Sequence, residues 1–228
     1  MLGNSIKYST RDNKSFDGYL VKPEGDGPFP GIVILTAIFG VDEGIIKLSD
    51  EWAKDGFIVS VPDIFWRVHP GPLPLSEHEA ARARMDKFDV EQGVIDIEDI
   101  VLDLRNRAEC NGKVGMLGFC FGGRYVHLAA ARLDIDAGAA FHGTAIGKNL
   151  DETDKISCPM SLHFGDKDPV VPMDEVNAIK AAYANNKNAD IAVYEGADHS
   201  FSMPWHPSYH EGAAKASRQS VLKCFQAM

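Results

Sequence analysis

The chain has 228 residues, 45% of them hydrophobic and 25% charged. That balance is globular, suits one α/β domain and excludes a disordered chain. Lys and Arg number 23 against 33 Asp and Glu, a formal charge of −10 that opposes binding to nucleic-acid phosphates or to an anionic membrane surface.

Elements follow in chain order. Ile6 to Ser9 and Gly18 to Val21 read as short strands joined by a polar turn, and Glu24 to Pro30 as a Gly/Pro-rich loop. Gly31 to Leu35 (GIVIL) is a continuous apolar, β-branched run, the mark of a buried parallel strand. Ile45, Leu48 and Trp52 carry helical spacing over Ile45 to Asp55, which Gly56 ends. Phe57 to Pro62 is the next strand, and the proline-bearing stretch Asp63 to Ser76 a loop. Ser76 to Phe88 and Val90 to Asn106 read as helices, then Lys113 to Gly118 as a strand and Gly123 to Arg132 as a helix. Ala137 to Phe141 and Met160 to Gly165 are strands, Met173 to Asn185 a helix, Ala189 to Tyr194 a strand, and Tyr209 to Gln226 a closing helix. Such alternation predicts an α/β fold with a mostly parallel central sheet, helices on both faces, and one domain over residues 1–228.

The longest nearly apolar run, Gly31 to Val41, is too short to span a bilayer, and the opening residues lack a secretory apolar stretch. Four scattered cysteines without a C-x-x-C pair fit free thiols in a reducing compartment. A soluble cytoplasmic protein is therefore expected.

Gly118-Phe119-Cys120-Phe121-Gly122 has the form G-x-C-x-G between a strand and a helix, the setting of a nucleophile elbow with Cys in place of Ser. A buried structural cysteine beside a glycine-rich turn has the same local pattern. Asp168 follows the strand ending SLHFG, where such a fold needs the acid that orients a histidine. Asp166 competes for that role, and Asp-Pro is also a common turn dipeptide. His199, in YEGADHSF, lies in the loop before the last helix. The order nucleophile, acid, histidine matches the α/β-hydrolase fold and selects Cys120, Asp168 and His199 as a catalytic triad. Backbone N–H groups of Phe121 and Ile38 are the expected oxyanion hole. His206 and His210 lie four apart, but no H-E-x-x-H arrangement accompanies them, so neither metal nor cofactor is expected.

Together these segments resemble the dienelactone hydrolase (carboxymethylenebutenolidase) family. The similarity runs through IFGV (Ile38 to Val41), VPDIF (Val61 to Phe65), FDVEQGVID (Phe88 to Asp96), GFCFGGR (Gly118 to Arg124), FGDKDPVVP (Phe164 to Pro172) and GADHSF (Gly196 to Phe201). The resemblance implies opening of an ester or lactone through a Cys-His-Asp triad and a thioester acyl-enzyme. It also marks departures. The family's best-known members carry a glutamate, which contacts the resting thiol, where this chain has Ala37. They hold the substrate carboxylate with two arginines at positions occupied here by His78, with Arg82 one helical turn on, and Met203. A more apolar pocket, walled by Met203 with Phe39, Trp66, Phe121 and Trp205 nearby, is expected, taking a small neutral substrate. The expected assembly is a monomer or small homo-oligomer. Loss of the glutamate and arginines keeps open another class, a non-catalytic small-ligand binder or a redox-reactive thiol protein on the same fold.

Overall fold

In the computed structural model, residues 3–228 are described. They fall into two compact units, one ending at Val114 and one beginning at Gly115. The first begins as a hairpin. β1 (Asn4–Ser9) and β2 (Ser15–Val21) pair antiparallel with Tyr8 opposite Phe16, two aromatic rings 5.4 Å apart. β2 then pairs antiparallel with β4 (Ile58–Pro62), and β4 parallel with β3 (Phe29–Leu35). From Gly31 to Leu35, and throughout β4, every residue is buried, as apolar strands covered by helices must be.

α1 (Glu43–Lys54) starts where the Asp42 carboxylate accepts the Ile45 N–H at 2.8 Å, a side-chain cap for an otherwise orphan donor. Its inward face, Ile45, Ser49, Trp52 and Ala53, packs on β2 and β4. After α2 (His78–Asp86) comes α3 (Val90–Arg105), capped by Asp89 and packed on β1 and β3 through Val94, Ile97, Val101 and Leu104. α2 begins two residues after the expected Ser76, past a turn in which Glu77 N–H bonds to the Pro74 carbonyl.

β5 (Cys110–Phe119) leads into the second unit, where β6 (Ala137–Phe141), β7 (Met160–Gly165) and β8 (Ala189–Tyr194) follow in order, all parallel. α4 (Phe121–Arg132) packs on β6, and α6 (Glu211–Gln226) on β6, β7 and β8. α5 (Met173–Ala182) lies against a 3₁₀-helical segment, Ile146–Lys155, interrupted at Asn149. Tertiary bonds hold it: Arg132 grips Glu152 at 2.6 Å, and the buried His127 reaches the Asn149 carbonyl at 2.8 Å.

β7 carries an interior histidine. His163 is fully buried, with Nε2 2.8 Å from Ser161 Oγ, Nδ1 3.0 Å from the Tyr194 hydroxyl, and its ring stacked on Phe141. Burial disfavours its charged form and brings it down to about 4, the nearby Asp190 charge only partly opposing. A histidine neutral when folded takes up a proton only in the unfolded chain between these values. Its stabilising contribution is thus complete above about pH 6.5 and is lost as pH falls toward 4, by roughly 3 kcal/mol at most. Urea unfolding at pH 7 and pH 5 should show a smaller acid loss for His163→Gln than for wild type. Equal losses would show that other groups dominate.

Candidate active site

In the second unit the carboxyl ends of β5, β7 and β8 bring three side chains together. Cys120 follows β5 directly and caps α4 with φ 50° and ψ −112°, a left-hand-side backbone angle rare for a non-glycine residue. Surrounding backbone holds it there: Cys120 N–H bonds to the Phe141 carbonyl at 3.1 Å, and its own carbonyl accepts from Thr144 at 2.9 Å and Gly123 at 3.0 Å. The flanking glycines are steric necessities. A Cβ on Gly118 would sit 2.5 Å from the Gly122 oxygen, and one on Gly123 would sit 2.4 Å from Gly143 Cα. α4 begins at Phe121, two residues before the expected Gly123, so the turn is as short as a residue in this conformation allows.

Asp168 lies in the turn after β7, 5% exposed. Its Oδ1 accepts the N–H groups of Val170 (2.7 Å) and Val171 (3.0 Å), which leaves Oδ2 to bond His199 Nδ1 at 2.7 Å. Asp166 points elsewhere, accepting the Gly196 N–H at 2.7 Å and ion-pairing with Lys167. The Cys120 thiol lies near enough to His199 to raise its basicity. Burial disfavours the imidazolium, yet the bond to Asp168 and the neighbouring Cys120, with the charges of both, hold His199 well above the ordinary imidazole range. A carboxylate, an imidazole and a thiol in series can move a proton between thiol and ring while the carboxylate keeps the ring oriented.

A second histidine stands beside the first. His142, just past β6, is fully buried, has φ 42°, and meets the His199 ring edge-to-face at 4.7 Å. Its Nε2 lies 3.3 Å from Ser202 Oγ, so it ties the end of β6 to the loop that carries His199. Burial, with the charges of His199 and His206, pushes it far below the usual histidine range and keeps it neutral. Sequence reasoning missed this residue. The available signal was Phe141-His142-Gly143 directly after a parallel strand, where sites on open α/β sheets collect. Met203 is buried in the turn that follows His199, its N–H bonded to the Ser200 carbonyl. His210 caps α6 by accepting the Ala213 N–H. Among the described residues no group of three or more His, Cys, Asp or Glu side chains is arranged to hold a metal.

The remaining expected site residues lie in the first unit. Ala37 to Gly40 form a turn closed by Gly40 N–H to the Ala37 carbonyl at 3.1 Å. Ile38 and Phe39 are its central residues, and the Phe39 ring meets His78 edge-to-face at 5.2 Å. His78 opens α2 and is exposed, as is Arg82. Trp66 stacks on Phe16 at 4.9 Å, lies under the Arg67 guanidinium at 4.0 Å and donates its indole N–H to Asp96 at 3.0 Å. Arg84, absent from the sequence reading, is buried at 2% exposure and donates to the Ile38, His69 and Gly71 carbonyls.

Known proteins are similar to this chain over nearly its whole length. Residues 16–228 match the model of the dienelactone hydrolase family. A carboxymethylenebutenolidase of Pseudomonas putida is 31% identical over 227 residues, covering 97% of this chain and 95% of its own. A carboxymethylenebutenolidase of Cupriavidus pinatubonensis is 30% identical, covering 98% and 96%. Among solved structures, a "putative dienelactone hydrolase" from Klebsiella pneumoniae superposes with a TM-score of 0.88 at 26% identity over 100% of both chains. An esterase from Pyrococcus furiosus shares the fold, with a TM-score of 0.75 at 16% identity over 98% of this chain and 91% of its own. No helix among the described residues is long and apolar enough to cross a membrane. The chain belongs to the dienelactone hydrolase family, hydrolases built on the α/β-hydrolase fold.

Proposed function

We propose that this protein is a cytoplasmic, single-domain carboxylic ester hydrolase that cleaves a small ester or lactone with Cys120 as nucleophile. The observation that carries the reading is the 2.7 Å bond of Asp168 to His199 Nδ1, with Cys120 beside that histidine at a strained strand-to-helix turn. The Cys120 thiolate attacks the substrate carbonyl, the thiol proton residing on His199. The carbonyl electrons move to oxygen, and the backbone N–H of Phe121, directly after the nucleophile, receives that charge. Collapse expels the alkoxide, which takes the proton from His199 and leaves a thioester on Cys120. His199 then removes a proton from water as it attacks the thioester, and the second collapse releases the acid and restores the thiolate. Asp168 keeps Nδ1 engaged throughout, so Nε2 does the proton work.

Intact-mass measurement during turnover of p-nitrophenyl acetate tests this. One acetyl group should appear on wild type, map to Cys120, be released by hydroxylamine and be missing in Cys120→Ala. Turnover without an adduct on Cys120 would sink that residue as nucleophile, and a thiol that reacts once and stops would sink the hydrolase reading in favour of a ligand-binding or redox-reactive thiol protein.

A further inference from the structure

The turn that carries Cys120 and the loop that carries His199 meet at one residue, His142. Its backbone is fastened to the turn. Cys120 N–H donates to the carbonyl of Phe141, directly before His142, at 3.1 Å, and the N–H of Thr144, just after it, donates to the Cys120 carbonyl at 2.9 Å. His142 N–H donates in its turn to the His163 carbonyl on β7 at 2.7 Å. These bonds hold a φ of 42°, which a non-glycine residue keeps only where its surroundings impose it. Gly143 follows, pressed so close to α4 that a Cβ on it would lie 3.1 Å from Gly123 Cα.

The side chain is fastened to the loop. Its ring meets His199 edge-to-face at 4.7 Å and Phe201 edge-to-face at 5.9 Å, and Nε2 lies 3.3 Å from Ser202 Oγ. His199, Phe201 and Ser202 thus rest on one imidazole. Elsewhere the loop is held by its backbone, through Lys167 N–H on the Ala197 carbonyl and His210 N–H on the Phe201 carbonyl, both at 3.0 Å. His142 bears on the His199 ring itself. It is fully buried, and Nδ1 makes no hydrogen bond to another described residue, a cost that a phenylalanine of similar shape would avoid. His199 and His206 are the charged groups that act on it, and burial keeps it neutral, so it can touch an imidazolium without repelling it.

We infer that His142 is a positioning residue for ester hydrolysis, which sets the His199 imidazole against the Cys120 thiol by gripping the turn with its backbone and the loop with its ring. The inference rests on the proposed pairing of Cys120 with His199. An imidazolium beside a thiol favours the thiolate, so a displaced ring should return the thiol toward its free value. The rate of Cys120 alkylation by iodoacetamide against pH, with the site mapped by mass, measures that pairing without any turnover. Burial pushes the Cys158 and Cys224 thiols up, which slows their reaction. In His142→Ala the midpoint of the profile should move up toward the ~8.5 of free cysteine. Its kcat for a neutral ester should fall about tenfold or more, with KM changed less than twofold. His142→Phe and Ser202→Ala break the Nε2–Oγ bond from opposite ends and keep the ring site filled. Each should move the midpoint the same way by less, and the double variant no further than either alone. Unmoved midpoints in His142→Phe and Ser202→Ala would overturn the inference, even if His142→Ala does not fold. So would additive shifts in the double variant, or a fall in kcat with the wild-type alkylation profile, which marks a merely structural residue. Should Cys120→Ala keep its turnover while these midpoints move, the hydrolase reading fails and the role of His142 toward the thiol stands. Should Cys120→Ala be dead while every His142 variant keeps the wild-type profile, only the role of His142 fails.

Discussion

Cys120→Ala, His199→Ala and Asp168→Asn should each lower kcat by about 10²- to 10⁴-fold, because a nucleophile, its base and the group that orients the base act as a unit. The effect of Asp168→Asn is the most informative. An amide can occupy the same space and still meet Val170 and Val171, whose N–H groups bond Oδ1. At Oδ2 it removes the charge that favours the imidazolium and can impose the wrong tautomer on His199. Double replacements should cost little more than single ones. Asp166→Asn should stay within about threefold of wild type, since that carboxylate serves the Gly196 N–H and Lys167 instead. Steady-state kinetics on a p-nitrophenyl ester, with thermal melts to verify folding, give the comparison. A crippled Asp166→Asn beside a silent Asp168→Asn would reverse the assignment of the acid.

Substrate charge should produce the second large effect. We propose a neutral substrate, since Met203, buried in the turn after His199, can offer it only a soft apolar surface and no charged hydrogen bond. Each charged hydrogen bond forgone removes about 1.5–3 kcal/mol of selective binding. Neutral small aryl or alkyl esters should therefore exceed a carboxylate-bearing enol-lactone in kcat/KM by about tenfold or more. Met203→Arg should narrow that gap. A wild-type kcat/KM for the charged lactone well above that for size-matched neutral esters would refute the expectation and turn attention to Arg82 as the carboxylate partner.

Much of this was readable before any coordinate, for reasons that differ by element. GIVIL and IVSVP were legible because a strand buried on both faces must be apolar without interruption. α1 was legible from its apolar spacing and from Gly56, whose φ of 99° suits the turn that ends it. The G-x-C-x-G turn was legible because its glycines answer a steric demand that backbone imposes on any such turn, here a separation of 2.5 Å between a Gly118 Cβ and the Gly122 oxygen. The 3₁₀ segment at Ile146–Lys155 was not, since long-range bonds from Arg132 and His127 hold it in place.

What the sequence by itself determined is the order of strands and helices, the place of Cys120 after β5, and the family motifs that surround it. Each is a local demand of backbone geometry or of burial, written within a few neighbouring residues. The tertiary structure alone decided which carboxylate meets His199, because Asp166 and Asp168 follow the same strand and differ only in where the turn aims them. It alone placed the neutral His142 against the His199 ring, a contact between residues far apart in the chain. It alone turned Arg84 inward. In the stretch Arg82-Ala83-Arg84 the two arginines are chemically identical; one is exposed and the other is buried against three carbonyls, because only the folded chain brings the turn at Ile38 and the loop at Gly71 to the same guanidinium.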